Sequence, residues 1–573
     1  FLAAHDFETL TDTLDYLDRL GVNAVELMPV SEFDGNLSWG YNPTFHLALD
    51  KYYGPAEDLK RFVDEAHKRG IAVIMDVVYN HAHGESPLVQ LYGPTGDNPY
   101  INIPATHPFN VFYDLNHENP YVQYWLDRAN AHWLEDFDVD GFRIDLAGGF
   151  MQTGDFFGYN PERVALLTRM AEKIWETDST AYVILEDLID SGQEYEELTT
   201  YGRDRGRPGA LVWHNMNQAY SQSTMGYLTD AGRSSDLSDT YPSLWVDGIP
   251  VGNVVTYMDS HDEQWLMYRN LAYGNGSGSY QVKELATALE RQKVAGAFFF
   301  TVPGPRMIWQ FGELGYGGGT GECLRNDGAD ECPSGTPGRV GAKPIRWEYR
   351  TDPLREKLYK TWAALLKLRN ENALFTSPST QVVLRVGQGQ ADRWIKLSNL
   401  SLPESTVRNA VIVGNFGVVQ QSVAPGFPEA GTWYDYFTGD PVDVTEPDTS
   451  LALLPGEFHI YTDQYVEPPE PGLITVDTED EALPGFRAYK LGQNYPNPFR
   501  DETTISYAVP KLSHVKLVLY DLLGRQIAVL VDSVQAAGPY QVSFDARHLS
   551  GGMYVYRLEA EGHTLTRKML LVK

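Results

Sequence analysis

Across 573 residues, 77 Asp and Glu against 45 Lys and Arg leave a formal charge of −32, with only two cysteines. A chain this long exceeds one ordinary hydrophobic core, and its charge repels phosphate backbones and anionic lipid, so nucleic acid and membrane surfaces are poor partners. With 43% apolar and 21% charged residues the composition is globular and neither disordered nor fibrous. Every apolar run is too short to cross a bilayer, and a neutral ligand fits better. The aromatic share of 12% suits stacking on sugar rings and large β-rich cores alike.

The first element, FETLTDTLDYLDRLG, reads as a helix, with Leu10, Leu14 and Leu17 near helical spacing and Gly21 as its stop. From residue 1 to about 375, short apolar runs alternate with amphipathic helical stretches, the pattern of βαβ units around a parallel sheet. The runs are AVELMPV, IAVIMDVV, GFRIDLA, YVILEDL, ALVWHN, NVVTYM and RMIWQFGE. Helices such as EDLKRFVDEAHKRG, introduced by Pro55 and closed by Gly70, and PERVALLTRMAEKIWE lie between them. Right-handed crossovers and this many repeats favour a (β/α)₈ barrel over an open sheet. The count is one strand short in a chain that begins on a helix at Phe1, so the expected missing strand is the first. A short excursion occupies 81–120. Cys323 and Cys332 share the loop GECLRNDGADEC; two thiols cannot fill a tetrahedral zinc site, and in a secreted protein a local disulfide is favoured over free thiols.

After the helix DPLREKLYKTWAALLKLRNE the texture changes. VVLRVG, RWIKLSN, NAVIVGNFG, GTWYDYFTG and FHIYTDQ predict a small antiparallel β domain over 376–466. An acidic, Pro-rich linker follows over 467–490, too polar to bury much. Over 491–573, TTISYAV, VKLVLYDLLG, QIAVLV, YQVSFDA, MYVYRLEAEG and LTRKMLLVK alternate with turn signals, predicting an immunoglobulin-like β-sandwich.

In a βα barrel the working residues lie where strands end and βα loops begin. DVVYNH at 76–81, GFRIDLA at 141–147, ILEDL at 184–188 and YMDSHDE at 257–263 carry polar groups there. Asp145, Glu186 and Asp262 therefore converge on one mouth from separate strands. Three acids together are costly, because each raises the others' pKa, and glycoside hydrolysis uses that arrangement: one carboxylate attacks the anomeric carbon and a protonated one donates to the leaving oxygen.

In order and spacing these four segments resemble the signature regions of the α-amylase family, glycoside hydrolase family 13, over roughly residues 1–466. The resemblance implies Asp145 as nucleophile, Glu186 as general acid/base, and Asp262 as the third acid, holding sugar hydroxyls in the transition state. Arg143 sits two residues before Asp145, so on a strand both side chains share a face, and its charge is expected to keep Asp145 ionised. His81 and His261 are implied as ligands of the sugar being cleaved, with Asp76 and Asn80 supporting. SWGYNP is similar to the segment with a stacking tyrosine, here Tyr41, and PGPRMIWQFGE to the eighth strand.

Blander roles stand beside these. Asp76 inside an apolar strand reads equally as a buried, paired carboxylate. Asp187 beside Glu186 faces the other way on a strand and reads as an outer partner; Asp259 reads as structural, and His83, His107 and His117 as loop residues. The Trp of GTWYDYF reads as core. Departures from the family pattern also matter. Ala147, Gly148 and Gly149 stand where many α-amylases carry Lys-His, whose backbone helps bind calcium, so structural calcium stays open only through Asn80, and the chemistry itself needs no cofactor. Ser260 stands where Asn is common, as in branching relatives.

The last unit resembles a different family. LGQNYPNPFRDETTISYAVP, LYDLLGR, LSGGMYVYRLEAEG and the terminal RKMLLVK are similar to the type IX secretion C-terminal sorting domain. That implies engagement of the type IX secretion machinery and a secreted or cell-surface location. The resulting expectation is a monomeric, secreted α-glucan hydrolase, α-amylase-like and retaining. Its alternatives are a glucan-branching or other transglycosylase of the same family and a non-catalytic surface glucan-binding protein.

Overall fold

The computed structural model describes residues 6–109, 111–230, 232–324, 332–333, 335–474, 489–492, 494, 496–509, 513–521, 524–535, 538–560 and 563–573. The chain divides into two compact units, Phe1–Thr475 and Val476–Lys573. Most of the expected linker, 475–488, lies outside the described residues. Among the described residues no helix is long and apolar enough to cross a membrane.

The first unit is built on a parallel sheet whose strands are β1 (Ala24–Leu27), β2 (Ala72–Val77), β3 (Gly141–Ile144), β4 (Tyr182–Leu185), β5 (Leu211–Asn215), β6 (Val254–Tyr257) and β7 (Arg306–Met307). These are the apolar runs named above, and they pair in chain order, β1-β2-β3-β4-β5-β6-β7. A sheet whose spatial order follows its sequence order is singly wound, which separates a (β/α)₈ barrel from a doubly wound open sheet. The outer edges of β1 and β7 are unpaired among the described residues, the arrangement of such a barrel with one strand not among them.

The intervening helices start where the chain says they should. Asn119, Asn160 and Asp352 cap the helices Pro120–Phe137, Pro161–Thr177 and Pro353–Glu371, each with its side chain accepting from first-turn N–H groups and Pro in the first turn. Ala56–His67 buries Leu59, Phe62, Val63 and Ala66, one stripe at helical spacing against the sheet. The first segment is two helices instead of one, Phe7–Thr11 and Leu14–Leu20. Thr11 and Thr13 hydroxyls donate to the Phe7 and Leu10 carbonyls at 2.6 and 2.7 Å, so side chains compete with the helical ladder at the break.

The β domain is a six-stranded antiparallel sheet in the order Gln381–Arg385, Asp392–Ser398, Asn409–Asn415, Phe458–Thr462, Gly431–Asp435, Pro441–Val444. Trp433 sits in its core with Val411, Val413, Phe427 and Tyr461, as its sequence position suggested. This domain belongs to the same compact unit as the barrel. The fully buried Arg291 of helix Leu285–Phe300 explains the union: it donates to the carbonyls of Thr224 (2.8 Å) and Ser223 (2.6 Å) on one side and Gly417 (3.0 Å) on the other.

The second unit pairs two antiparallel sheets. One holds Lys490–Leu491, Glu502–Val509 and Gly538–Asp545, the other Gln526–Gln535, Ser513–Tyr520, Gly552–Ala560 and His563–Leu571. Ile505, Val515, Leu517, Leu519, Tyr556 and Leu558 form the core, the alternate residues of each strand turned inward as in an immunoglobulin-like sandwich.

Candidate active site

The site is assembled where β2, β3 and β4 end. Arg143 lies on β3 and Asp145 two residues on, so the pleat turns both to the same side. The ladder continues past the strand ends: Asp145 N–H donates to the Val77 carbonyl at 3.0 Å and Glu186 N–H to the Ile144 carbonyl at 3.1 Å. Both acids are thus pinned by backbone hydrogen bonds. The next residue, Leu146, has φ +45°, a strained left-handed turn for a branched side chain. That turn aims its N–H at Glu186 Oε2, 2.8 Å away.

Arg143 is the centre of the cluster. Its Nη1 lies 2.9 and 3.0 Å from the two Asp76 oxygens and 3.0 Å from Asp145 Oδ1. Its Nη2 forms an ion pair with Glu186 Oε1 at 2.9 Å. Tyr41 Oη donates to Asp76 Oδ2 at 2.6 Å, and its ring stacks on His261, centroids 5.1 Å apart. Gly40 makes room for this segment, since with φ +97° any Cβ there would lie 2.4 Å from the Pro29 carbonyl oxygen. His81 donates through Nε2 to the Tyr41 carbonyl at 2.8 Å and receives Asn80 Nδ2 on Nδ1 at 3.3 Å. Asp262, in the loop after β6, pairs with Arg339 and lies 3.3 Å from His261 Nε2.

Burial raises the pKa values of Asp76, Asp145 and Glu186, and repulsion from neighbouring acids adds to it. Asp145 stands well above the ordinary Asp value through burial and then through Glu186, with Arg143 opposing. Glu186 is raised by burial, pulled down by Arg143 and pushed up again by Asp262. One guanidinium is shared among Asp76, Asp145 and Glu186, so Arg143 opposes the rise that burial and Glu186 give Asp145 while also serving two other acids. His81 and His261 are both lowered to about 4, chiefly by burial. Both are neutral rings at physiological pH.

The blander readings resolve by position. Asp76 is a buried, paired carboxylate within the cluster itself. Asp187 is buried apart from Arg143 and pushed up to about 8 by burial, next by Glu194. Asp259 accepts from Asn217 Nδ2 and the Leu266 N–H. His117 donates to the Tyr79 carbonyl at 2.8 Å. Cys323 and Cys332 form a disulfide, and Gln264, two residues past Asp262, donates to the Leu324 carbonyl at 2.8 Å beside it.

Calcium takes six to eight oxygens. Beside Asn80, two buried side-chain oxygens lack hydrogen-bond partners, Asn80 Oδ1 and Asp114 Oδ1. The space near them is taken by the His107 ring, with Nε2 3.5 Å from Asp114 Oδ1. Among the described residues no three His, Cys, Asp or Glu gather as a metal site. The two orphaned oxygens, Asn80 Oδ1 and Asp114 Oδ1, are of the kind that would hold calcium, and no step is derived through it.

Four site residues escaped sequence reasoning. Glu26 on β1 is pushed up to about 8 by burial, then by Asp76; a carboxylate inside AVELMPV is the same signal that exposed Asp76. Trp213 on β5 lies under Arg143, but within ALVWHN it reads as core. Glu263 accepts from Ser260 and Asn215. Arg339 comes from an irregular loop with no periodic signal.

Comparison with known proteins gives two family matches. The family described as "Alpha amylase, catalytic domain" matches residues 4–99 and 107–348, and "Secretion system C-terminal sorting domain" matches 493–573. The chain is similar to malto-oligosyltrehalose trehalohydrolase of Saccharolobus solfataricus, 26% identical over 55% of each chain. It is also similar to intracellular maltogenic amylase of Bacillus subtilis, 32% identical over 46% of this chain and 43% of that one. It thus spans about half the length of these curated relatives. In fold it is similar to the α-amylase from Geobacillus thermoleovorans solved with acarbose (TM-score 0.59, 20% identity, 80% of this chain and 92% of that one). A pullulanase from Anoxybacillus sp. LM18-11 solved with maltotetraose is a second such structure (TM-score 0.55, 19% identity, 78% and 64%).

Proposed function

Because the chain belongs to the α-amylase family of glycoside hydrolases, we propose that it is an exported α-glucan hydrolase that retains configuration through a covalent glycosyl-enzyme. The observation that carries this reading is the Arg143 guanidinium in contact with Asp76, Asp145 and Glu186 at the mouth of the sheet. Asp145, ionised once substrate and Arg143 share the pocket, attacks the anomeric carbon. The bond to the leaving oxygen breaks as Glu186 gives that oxygen its proton. Glu186, now a carboxylate, takes a proton from water; the water oxygen attacks the same carbon and the ester to Asp145 breaks. Asp262, His81 and His261 hold hydroxyls of that sugar, and Tyr41 and Asp76 keep the ring site in place. The sorting domain marks the chain for secretion or attachment at the cell surface, through the type IX machinery.

Asp145→Asn should lower kcat at least about a thousandfold with an unchanged melting temperature; turnover near wild type sinks the assignment. Amylose, pullulan and malto-oligosyltrehalose form the substrate panel, the last because relatives are named for it. Transfer is the second reading, favoured by Ser260 before His261-Asp262 as in branching relatives. Iodine colour falling without new reducing ends would select transfer over hydrolysis, and glucan binding without any product would select a non-catalytic surface protein.

A further inference from the structure

Asp262, the acid assigned to sugar hydroxyls, does not face the cleft unoccupied. Arg339 Nη2 donates to its Oδ1, while its Oδ2 lies 3.3 Å from His261 Nε2. The Arg339 guanidinium carbon is 5.9 Å from the centroid of the Trp39 ring, and Trp39 meets His261 edge-on with centroids 5.3 Å apart. The loop behind Arg339 is held by Lys343, whose Nζ donates to the Pro337 and Gly338 carbonyls at 3.1 and 2.9 Å. The Arg339 side chain is 46% exposed and that of Asp262 30%. An ion pair so open to water is weak and screened by salt, so a ligand that offers hydroxyls to Asp262 can replace it.

We propose that Arg339 gates the sugar site: it neutralises Asp262 in the empty enzyme and is displaced when a glucan ring takes that carboxylate. The proposal rests on the reading of Asp262 as a sugar-binding acid and adds a residue that competes with substrate. The guanidinium is off Asp262 both in the bound complex and in the transition state. Removing it therefore eases binding to both equally, which lowers KM and leaves kcat unchanged.

The test uses the full chain. Arg339→Gln should lower KM for amylose roughly three- to tenfold at low salt, the size of one partly exposed ion pair, with kcat within about twofold. The gap should close as sodium chloride is raised to about 0.5 M. In an Asp145→Asn background, calorimetry with maltoheptaose should show tighter binding by the same factor when Arg339→Gln is added. A KM and Kd that are unchanged or raised overturn the proposal: raised values make Arg339 a sugar ligand, and unchanged values make it a surface residue. Failure of maltoheptaose to bind either form overturns the glucan reading together with the gate, whereas turnover with an unaltered KM overturns the gate alone.

Discussion

Arg143 lies over the indole of Trp213, its guanidinium carbon 4.2 Å from the ring centroid. The stack leaves the edge of the guanidinium free, with Nη1 turned to Asp76 and Asp145 and Nη2 to Glu186. A flat cation resting on a ring is fixed in plane as well as in position, so three strands and one indole set where the two proposed reacting carboxylates point.

Arg143→Lys keeps the charge and loses the fork. A Lys ammonium reaches one carboxylate at a time, leaving another buried and unpaired, a class of defect that costs about 3–5 kcal/mol. The expected result is a kcat lowered by at least about a hundredfold together with a drop in melting temperature, read by steady-state kinetics and calorimetry. A Lys variant that keeps a tenth or more of the wild-type kcat shows that charge alone suffices.

Glu26 gives the barrel a stability that declines with alkali. Its folded pKa, raised to about 8 by burial and then by Asp76, with Glu186 adding and Arg143 opposing, lies above the ordinary carboxyl value of 4.5. Between those values the folded chain holds a proton that the unfolded chain has released, so unfolding becomes progressively easier as pH rises through the window. Glu26→Gln removes that dependence while keeping the shape. The variant should match wild type in urea melts near pH 4.5 and exceed it increasingly up to pH 8. Parallel curves at both pH values would falsify the assignment of a half-buried, protonated Glu26.

What the sequence disclosed and what it hid divide along range. All seven barrel strands fall within the apolar runs read from the sequence, and Arg143 with Asp145 could be placed on one face from a two-residue offset. The split at Thr11 and Thr13 stayed hidden because leucine spacing continues across it. Strands of three or four residues, Gln421–Val423, Pro441–Val444 and Leu451–Leu453, are too short for alternation to register. The sharing of Arg143 stayed hidden because its other acids lie on other strands: Asp76 is 67 residues away in the chain. Arg339 reaches Asp262 across 77 residues from a loop, and nothing local to either residue announces the contact.

The β domain holds a second cluster of acids around one cation. His459 lies between two buried acids, Nδ1 2.5 Å from Asp435 Oδ2 and Nε2 3.1 Å from Glu457 Oε1, with the Tyr461 ring stacked beside it at 5.6 Å. Burial alone would lower its pKa, but hydrogen bonds to Asp435 and then Glu457 outweigh it and raise the ring to about 9. The unfolded value is 6.5, so the folded chain binds the extra proton, and the stabilisation is complete below 6.5 and lost as pH climbs through 9. His459→Gln strands both carboxylates without a cation and should cost roughly 3–5 kcal/mol at pH 6. At pH 10 the wild-type ring is neutral too, so the difference in unfolding free energy should shrink to a small remainder. Guanidinium melts of both proteins at the two pH values measure it, and a gap of equal size at each would mean that the ring packs there as a neutral group and the proton contributes nothing.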